Sequence, residues 1–221
     1  MKTRLVWIVI LITVCVTFFA TAAAQAALQD DVDRAVSIIE RFEEIPETAI
    51  PPAVMRDAKG LAILTITKVG FVLSGRGGTG VVVARTENGW SGPSAIGTGG
   101  IGVGFQAGVQ VSEYVIILNT QEAVNAFIQG SNFTLGANLS AAVGPVGRSA
   151  EASVTPQAAV YTYSRSQGIF AGVSLEGTVI ATRYAANEEY YEKPVYPSDI
   201  LAASVKPPAG AQKLLEVLAK Y

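Results

Sequence analysis

The chain has 221 residues; half are hydrophobic, only 15% are charged, and the formal net charge is −2. It is too apolar for a disordered chain, and it lacks the basic excess expected of a duplex-binding protein, so no nucleic-acid partner is expected. There is no histidine and a single cysteine, Cys15, which excludes His-based triads, a His general base and Cys/His metal clusters.

Residues 1–26 have the pattern of a secretory signal peptide. Lys2 and Arg4 form a positive start, Leu5 to Phe19 an apolar run, and Ala24-Gln25-Ala26 a small-residue cleavage site. The run is short for a bilayer span, which needs about 20 residues. The alanines after it extend it, so a retained anchor is the alternative. Ile12-Thr13-Val14 are too bulky to precede a lipid-modified Cys15. Cleavage after Ala26 leaves residues 27–221, with a net charge of −4 and neither His nor Cys. No low-complexity linker divides this stretch, so one domain is expected. Its expected location is the periplasm or cell envelope.

The first predicted element is an amphipathic helix, with Leu28, Val32, Ala35, Val36, Ile39 and Phe42 at three- and four-residue steps. Ile45-Pro46 ends it, and a short helix is expected from Pro51 or Pro52 to a stop at Gly60. Strand patterns then dominate from about Leu61 to Arg183. They include Leu61 to Val69, Gly80 to Arg85, Val109 to Leu118, the alternation Phe133-Leu135-Ala137-Leu139-Ala141, and Val173-Leu175-Val179. One helix interrupts them at about Thr120 to Ile128, with Thr120 as cap and Gly130 as stop. Helical patterns return at about 185–191, 197–203 and 209–221. This segregation predicts an α+β fold: a mostly antiparallel, strongly bent or barrel-like sheet with flanking N- and C-terminal helices.

Thirteen of the 22 glycines fall between Gly70 and Gly108. They contain two matches to G-x-G-x-x-G, Gly75 to Gly80 and Gly97 to Gly102. In a dinucleotide site such a loop opens a helix. Here Val81-Val82-Val83 and Val103-Gly104-Phe105 follow, and neither is a helical pattern. The kinase variant also fails, because no Asp occurs between Asp57 and Asp199. Two uses remain for these glycines: turns, bulges and close packing in a bent sheet, or amide-lined loops for an anion.

No nucleophile elbow is present, so a non-enzymatic protein is expected, with no cofactor and no metal. The cations of the strand region include Lys68, Arg76 in Ser74-Gly75-Arg76-Gly77, and Arg148 in Gly147-Arg148-Ser149. Such residues are either solvated surface charges or, on loops of a rigid sheet, ligands converging on a phosphate.

The run Ala58-Lys59-Gly60-Leu61-Ala62-Ile63-Leu64, then Lys68-Val69-Gly70-Phe71 and Ser74-Gly75-Arg76-Gly77-Gly78-Thr79-Gly80, resembles the start of a SYLF domain. Trp90 to Gly97, Val115 to Asn119, Gly144 to Arg148, Tyr161 to Ser164 and Gly168 to Gly177 continue the match in order. The similarity runs from about Val36 to the C-terminus, as a single SYLF-like domain over 27–221. The resemblance implies a lipid-binding module for anionic or phosphorylated headgroups, phosphoinositides in eukaryotic members. The actin binding of yeast-type members implies a protein-interaction role as the alternative. The signal-like segment resembles that of exported bacterial-type members. The family supplies no firm binding motif, so Lys68, Arg76 and Arg148 rest on the residue reading alone as headgroup contacts.

Overall fold

A computed structural model describes residues 28–44, 49–71, 73–103, 108–130, 133–134, 141–143, 158–168 and 179–221. Helix α1 (Leu28–Glu43) carries the predicted stripe on one face, burying Leu28, Val32, Ala35, Val36, Ile38, Ile39 and Phe42. Each of these side chains larger than alanine contributes about 1.5–3 kcal/mol when fully removed from water. Asp30 and Asp31 occupy the first turn and Arg41 the last, as the helix dipole favours.

Helix α2 (Pro52–Asp57) is shorter than expected. Gly60 is not its stop but the first residue of β1 (Gly60–Phe71), because the backbone there is already held in a ladder on both sides, opposite Ala84 and Leu118. Arg85 satisfies the end of α2 instead. Its guanidinium donates to the carbonyls of Met55 (3.0 Å) and Ala58 (2.9 Å) and lies over the Trp90 ring at 4.2 Å.

The sheet continues with β2 (Leu73–Thr86), β3 (Gly89–Trp90), β4 (Ser94–Val103) and β5 (Gly108–Leu118). Helix α3 (Gln121–Ile128) follows, capped by the Thr120 hydroxyl accepting from the Ala123 amide at 3.2 Å. Then come β6 (Phe133–Thr134), β7 (Ala141–Val143), β8 (Val160–Gly168) and β9 (Val179–Thr182). The chain ends in α4 (Tyr184–Tyr191), α5 (Pro197–Leu201), a single 3-10 turn (Ala209–Ala211) and α6 (Gln212–Leu218). The predicted alternations over 135–140 and 173–178 lie outside the described residues.

The strand order is β6-β9-β4-β2-β1-β5-β8-β7, with β3 beside β2. Every pairing is antiparallel except β7 with β8. The fold is α+β, as expected. Among the described residues the sheet is open, since no ladder joins its two edges. It is nevertheless bent. Seven inter-strand steps of roughly 4.8 Å would hold the edges of a flat sheet about 34 Å apart. The seven peptide steps from Thr134 to Ala141 reach at most about 25 Å. A close approach between β1 and β2 accompanies the bend: a Cβ built on Gly80 would meet the Leu64 Cβ at 2.6 Å and the Ile63 carbonyl closer still.

Both faces of one half of the sheet are covered. Leu61, Ile63, Val81, Val83, Val115 and Ile117 pack against α1 and α6. Ala62, Leu64, Val82, Ile116 and Leu118 pack against α3 and α5 on the other face. Helix α1 crosses the first face along one row of register partners, Thr79–Thr65–Glu113–Arg165. Near its start Asp31, 2% exposed, accepts from Thr79 (2.7 Å) and pairs with Arg183 (2.6 Å). Near its end Arg41 makes a two-point pair with Glu113, and Arg165 donates to the Arg41 carbonyl at 3.2 Å. On the same face Asn187 of α4 accepts from the Ala95 amide (2.7 Å) and donates to Ser94 (3.1 Å).

Candidate functional site

The even positions of β1 belong to the face that packs on α3, and along it the side chains change in kind. Leu64 stands opposite Tyr114 and Gly80; Ile66 stands opposite Ser112 and Gly78; Lys68 stands opposite Gln110 and Arg76. The three rows thus run from apolar to hydroxyl to cationic. Of the three cations predicted from sequence, the fold makes Lys68 and Arg76 direct cross-strand partners on one face. Directly opposite positions have Cβ atoms roughly 5 Å apart. Arg148 lies outside the described residues.

Arg76 lies across bare backbone. Its β4 partner is Gly100, where an added Cβ would come within 2.9 Å of Arg76 Nε. Tyr114, fully buried, forms a side-chain hydrogen bond with Ser112, whose Oγ is 2.9 Å from Ser166 Oγ on β8. Burial pushes the Tyr114 hydroxyl above its ordinary pKa, and the Ser112 bond and nearby Arg76 charge act the other way. The hydroxyl remains a neutral donor at physiological pH. The row therefore offers two cations backed by a hydroxyl chain that runs from buried Tyr114 and Ser112 to exposed Ser166, an arrangement able to take up an oxyanion.

Sequence reasoning did not place Ser112, Tyr114 and Ser166 beside the cations. The two-residue spacing of Ser112 and Tyr114 within a strand puts them on one face, but the partnership with Ser166 needed the β5–β8 register. The two glycine motifs do not form loops. Gly75 to Gly80 lies in β2, Gly97 to Gly102 lies in β4, and the two runs pair with each other. Among the described residues no three His, Cys, Asp or Glu side chains gather where a metal ion would sit, and no helix is long and apolar enough to cross a membrane.

Residues 99–221 match the family model described as Ysc84, "Las17-binding protein actin regulator". The chain is similar to SH3 domain-containing YSC84-like protein 1 of Homo sapiens, 46% identical over 202 residues, which covers 88% of this chain and 59% of that protein. It is similar to the Xenopus laevis protein of the same name at 43% over 203 residues, 88% of this chain and 61% of the relative. It is also similar to LAS seventeen-binding protein 3 of Saccharomyces cerevisiae, 43% identical over 202 residues, 87% of this chain and 44% of the relative. The chain thus spans less than two thirds of the length of each of these relatives.

Proposed function

The chain belongs to the Ysc84 family, and from that premise we propose that it is a non-enzymatic protein-interaction domain of the actin-regulating kind. The observation that carries this reading is the family match over residues 99–221, whose description names a Las17-binding actin regulator. The same stretch bears an exposed aromatic pair suited to a protein partner. Tyr184 and Tyr196 are 45% and 64% exposed and meet edge to face, ring centres 6.5 Å apart. Tyrosines of this kind are enriched where protein interfaces gain their affinity. The test is co-sedimentation of the full chain with filamentous actin, alongside capture by immobilised Las17. Pelleting with filaments or retention on Las17 is the expected result. Neither pelleting above a filament-free control nor retention overturns the reading.

A second reading, recognition of anionic or phosphorylated lipid headgroups, is supported by the Lys68–Arg76 pair in register beside the Tyr114–Ser112–Ser166 chain. In this reading residues 1–26 direct export, and the domain works at a cell envelope. The net charge of −4 left after cleavage opposes nonspecific attraction to an anionic surface, so affinity must come from this local group. Arg76→Glu is expected to lower affinity for anionic vesicles about tenfold, with the loss shrinking at high salt. Unchanged flotation of that variant removes Arg76 from the site.

A further inference from the structure

We propose that the exposed Tyr184–Tyr196 pair, with the acids around it, is the docking site for an arginine- or lysine-rich segment of a protein partner. The proposal rests on the protein-interaction reading above and names the chemistry of what the pair takes up.

Three elements hold the pair in place. Tyr184 opens α4, and its hydroxyl donates to the Gly130 carbonyl just beyond α3 at 3.0 Å. Tyr196 lies in extended backbone at the start of α5, with φ −105° and ψ 155°. Gly130 has a φ of 62°, and a Cβ added there would run into the Tyr184 hydroxyl and come within 3.4 Å of Pro197. Glycine therefore lets the end of α3, the Tyr184 ring and the start of α5 converge. The two rings are fixed edge to face while the residues stay 45% and 64% exposed. Side chains already held in position give up little freedom on binding.

The charge around the rings identifies the occupant. From Tyr184 to Leu201 the chain holds four acids, Glu188, Glu189, Glu192 and Asp199, and one base, Lys193. That is a net charge of −3, where the whole chain carries −2. The three glutamates are exposed. Glu188 lies one turn from Tyr184 along α4, on the same side. The Asp199 carboxylate is held beside Tyr196 by accepting from its backbone amide at 3.3 Å. Arg183, next in sequence to Tyr184, is paired with Asp31 beneath α1. Helix α3 adds Glu122 and no base. Aromatic faces attract arginine and lysine within about 6 Å of the ring centre. A partner's cation laid on these rings gains that attraction and the field of the surrounding carboxylates together. A second copy of the same face would set acid against acid in a two-fold contact. A nucleic acid or an anionic bilayer would be repelled by the same charge.

The experiment is fluorescence anisotropy of the full chain with a labelled peptide of alternating Arg and Ser, and with a counterpart carrying Glu for Arg. Only the Arg peptide should bind, and more weakly as salt rises. Tyr196→Leu should lose roughly tenfold in affinity, whereas Tyr196→Phe, which keeps the ring, should bind like the wild type. Glu188→Gln/Glu192→Gln should lose about threefold. All three positions are exposed, so thermal midpoints should stay at the wild-type value. If the wild type pellets with filaments or is retained on Las17 but ignores the Arg peptide, the proposal is overturned and the interaction reading stands. If it binds the Arg peptide and fails both of those assays, the basic-segment site stands and the actin-regulating reading falls. Binding to nothing overturns both. Equal binding of the two peptides, or unchanged affinity in Tyr196→Leu, overturns the proposal, as does a Tyr196→Leu effect confined to self-association in light scattering.

Discussion

The strands β1, β2, β4 and β5 each pass through two environments, and the contrast explains how the glycines are used. In the covered half, Leu61, Ala62, Ile63 and Leu64 are consecutive and all 0–1% exposed, because helices lie over both faces. Unbroken apolar runs are the mark of such two-sided burial. In the other half the same strand reads Thr67-Lys68-Val69, half-buried or exposed, beside β2 and β4 segments built largely of glycine. One ladder of backbone hydrogen bonds runs through both halves, but on the face beneath α1 side-chain packing covers only the first; on the other face Ile66, Ser112 and Gln110 are still buried. The difference teaches that a glycine run need not be a loop: register with a well-packed strand extends pairing into sequence that has little strand propensity of its own.

The sharpest way to break this contrast is to add the same side chain in each half. Gly80→Val forces atoms onto the Ile63 carbonyl and Leu64. It should cost about 4 kcal/mol or more, or prevent folding. Gly99→Val projects into open space and should stay within about 0.5 kcal/mol. Urea unfolding of the two variants checks this, and equal losses would mean that the bare end is packed after all.

Truncation should follow the same division with a smaller effect. Ile117→Ala, at a fully buried position between sheet and helices, should lose about 3 kcal/mol. Val111→Ala, six residues earlier on the same face and 38% exposed, should lose under about 1 kcal/mol.

Alkaline pH sharpens the contrast without mutation. Tyr114, Tyr163 and Tyr191 are buried in the covered part, and desolvation raises each hydroxyl above its ordinary pKa of 10. For Tyr190 the same cause pushes it up to about 12. The folded state keeps these protons after the unfolded chain has released them. The associated stability is therefore present below about pH 10 and is lost as pH rises toward the folded-state values. Midpoints of urea unfolding measured from pH 8 upward should begin to fall near pH 10. Midpoints level through pH 11 would mean that the tyrosines ionise as freely in the fold as in the unfolded chain.

Much of the fold was legible because its signals are local. The stripe of α1, the Thr120 cap of α3 with Gly130 just beyond it, the strand run Val109 to Leu118 and the C-terminal helices were readable from period and capping residues alone. Gly60 was misread because a helix stop and a strand start share the same residue preference when only neighbours are considered. The lengths of β2 and β4 were hidden for the same reason, since their stability comes from pairing. Lys68 and Arg76 were both singled out as cations, but Gly70, Ser74 and Gly75 between them did not show which residues would pair. The Phe71–Leu73 pairing contains none of the usual turn residues.

Amino-acid order by itself determined the helical stripes, the caps, the strand alternation and hence the α+β class, because each arises from contacts between residues a few positions apart. Only the tertiary structure decided that Asp31 would be buried against Arg183, 152 residues away, or that Lys68 would stand opposite Arg76. It also decided which half of each strand would be left bare on the α1 face. Those choices belong to register and layer packing, whose free energy comes from burial between distant segments and has no local signature.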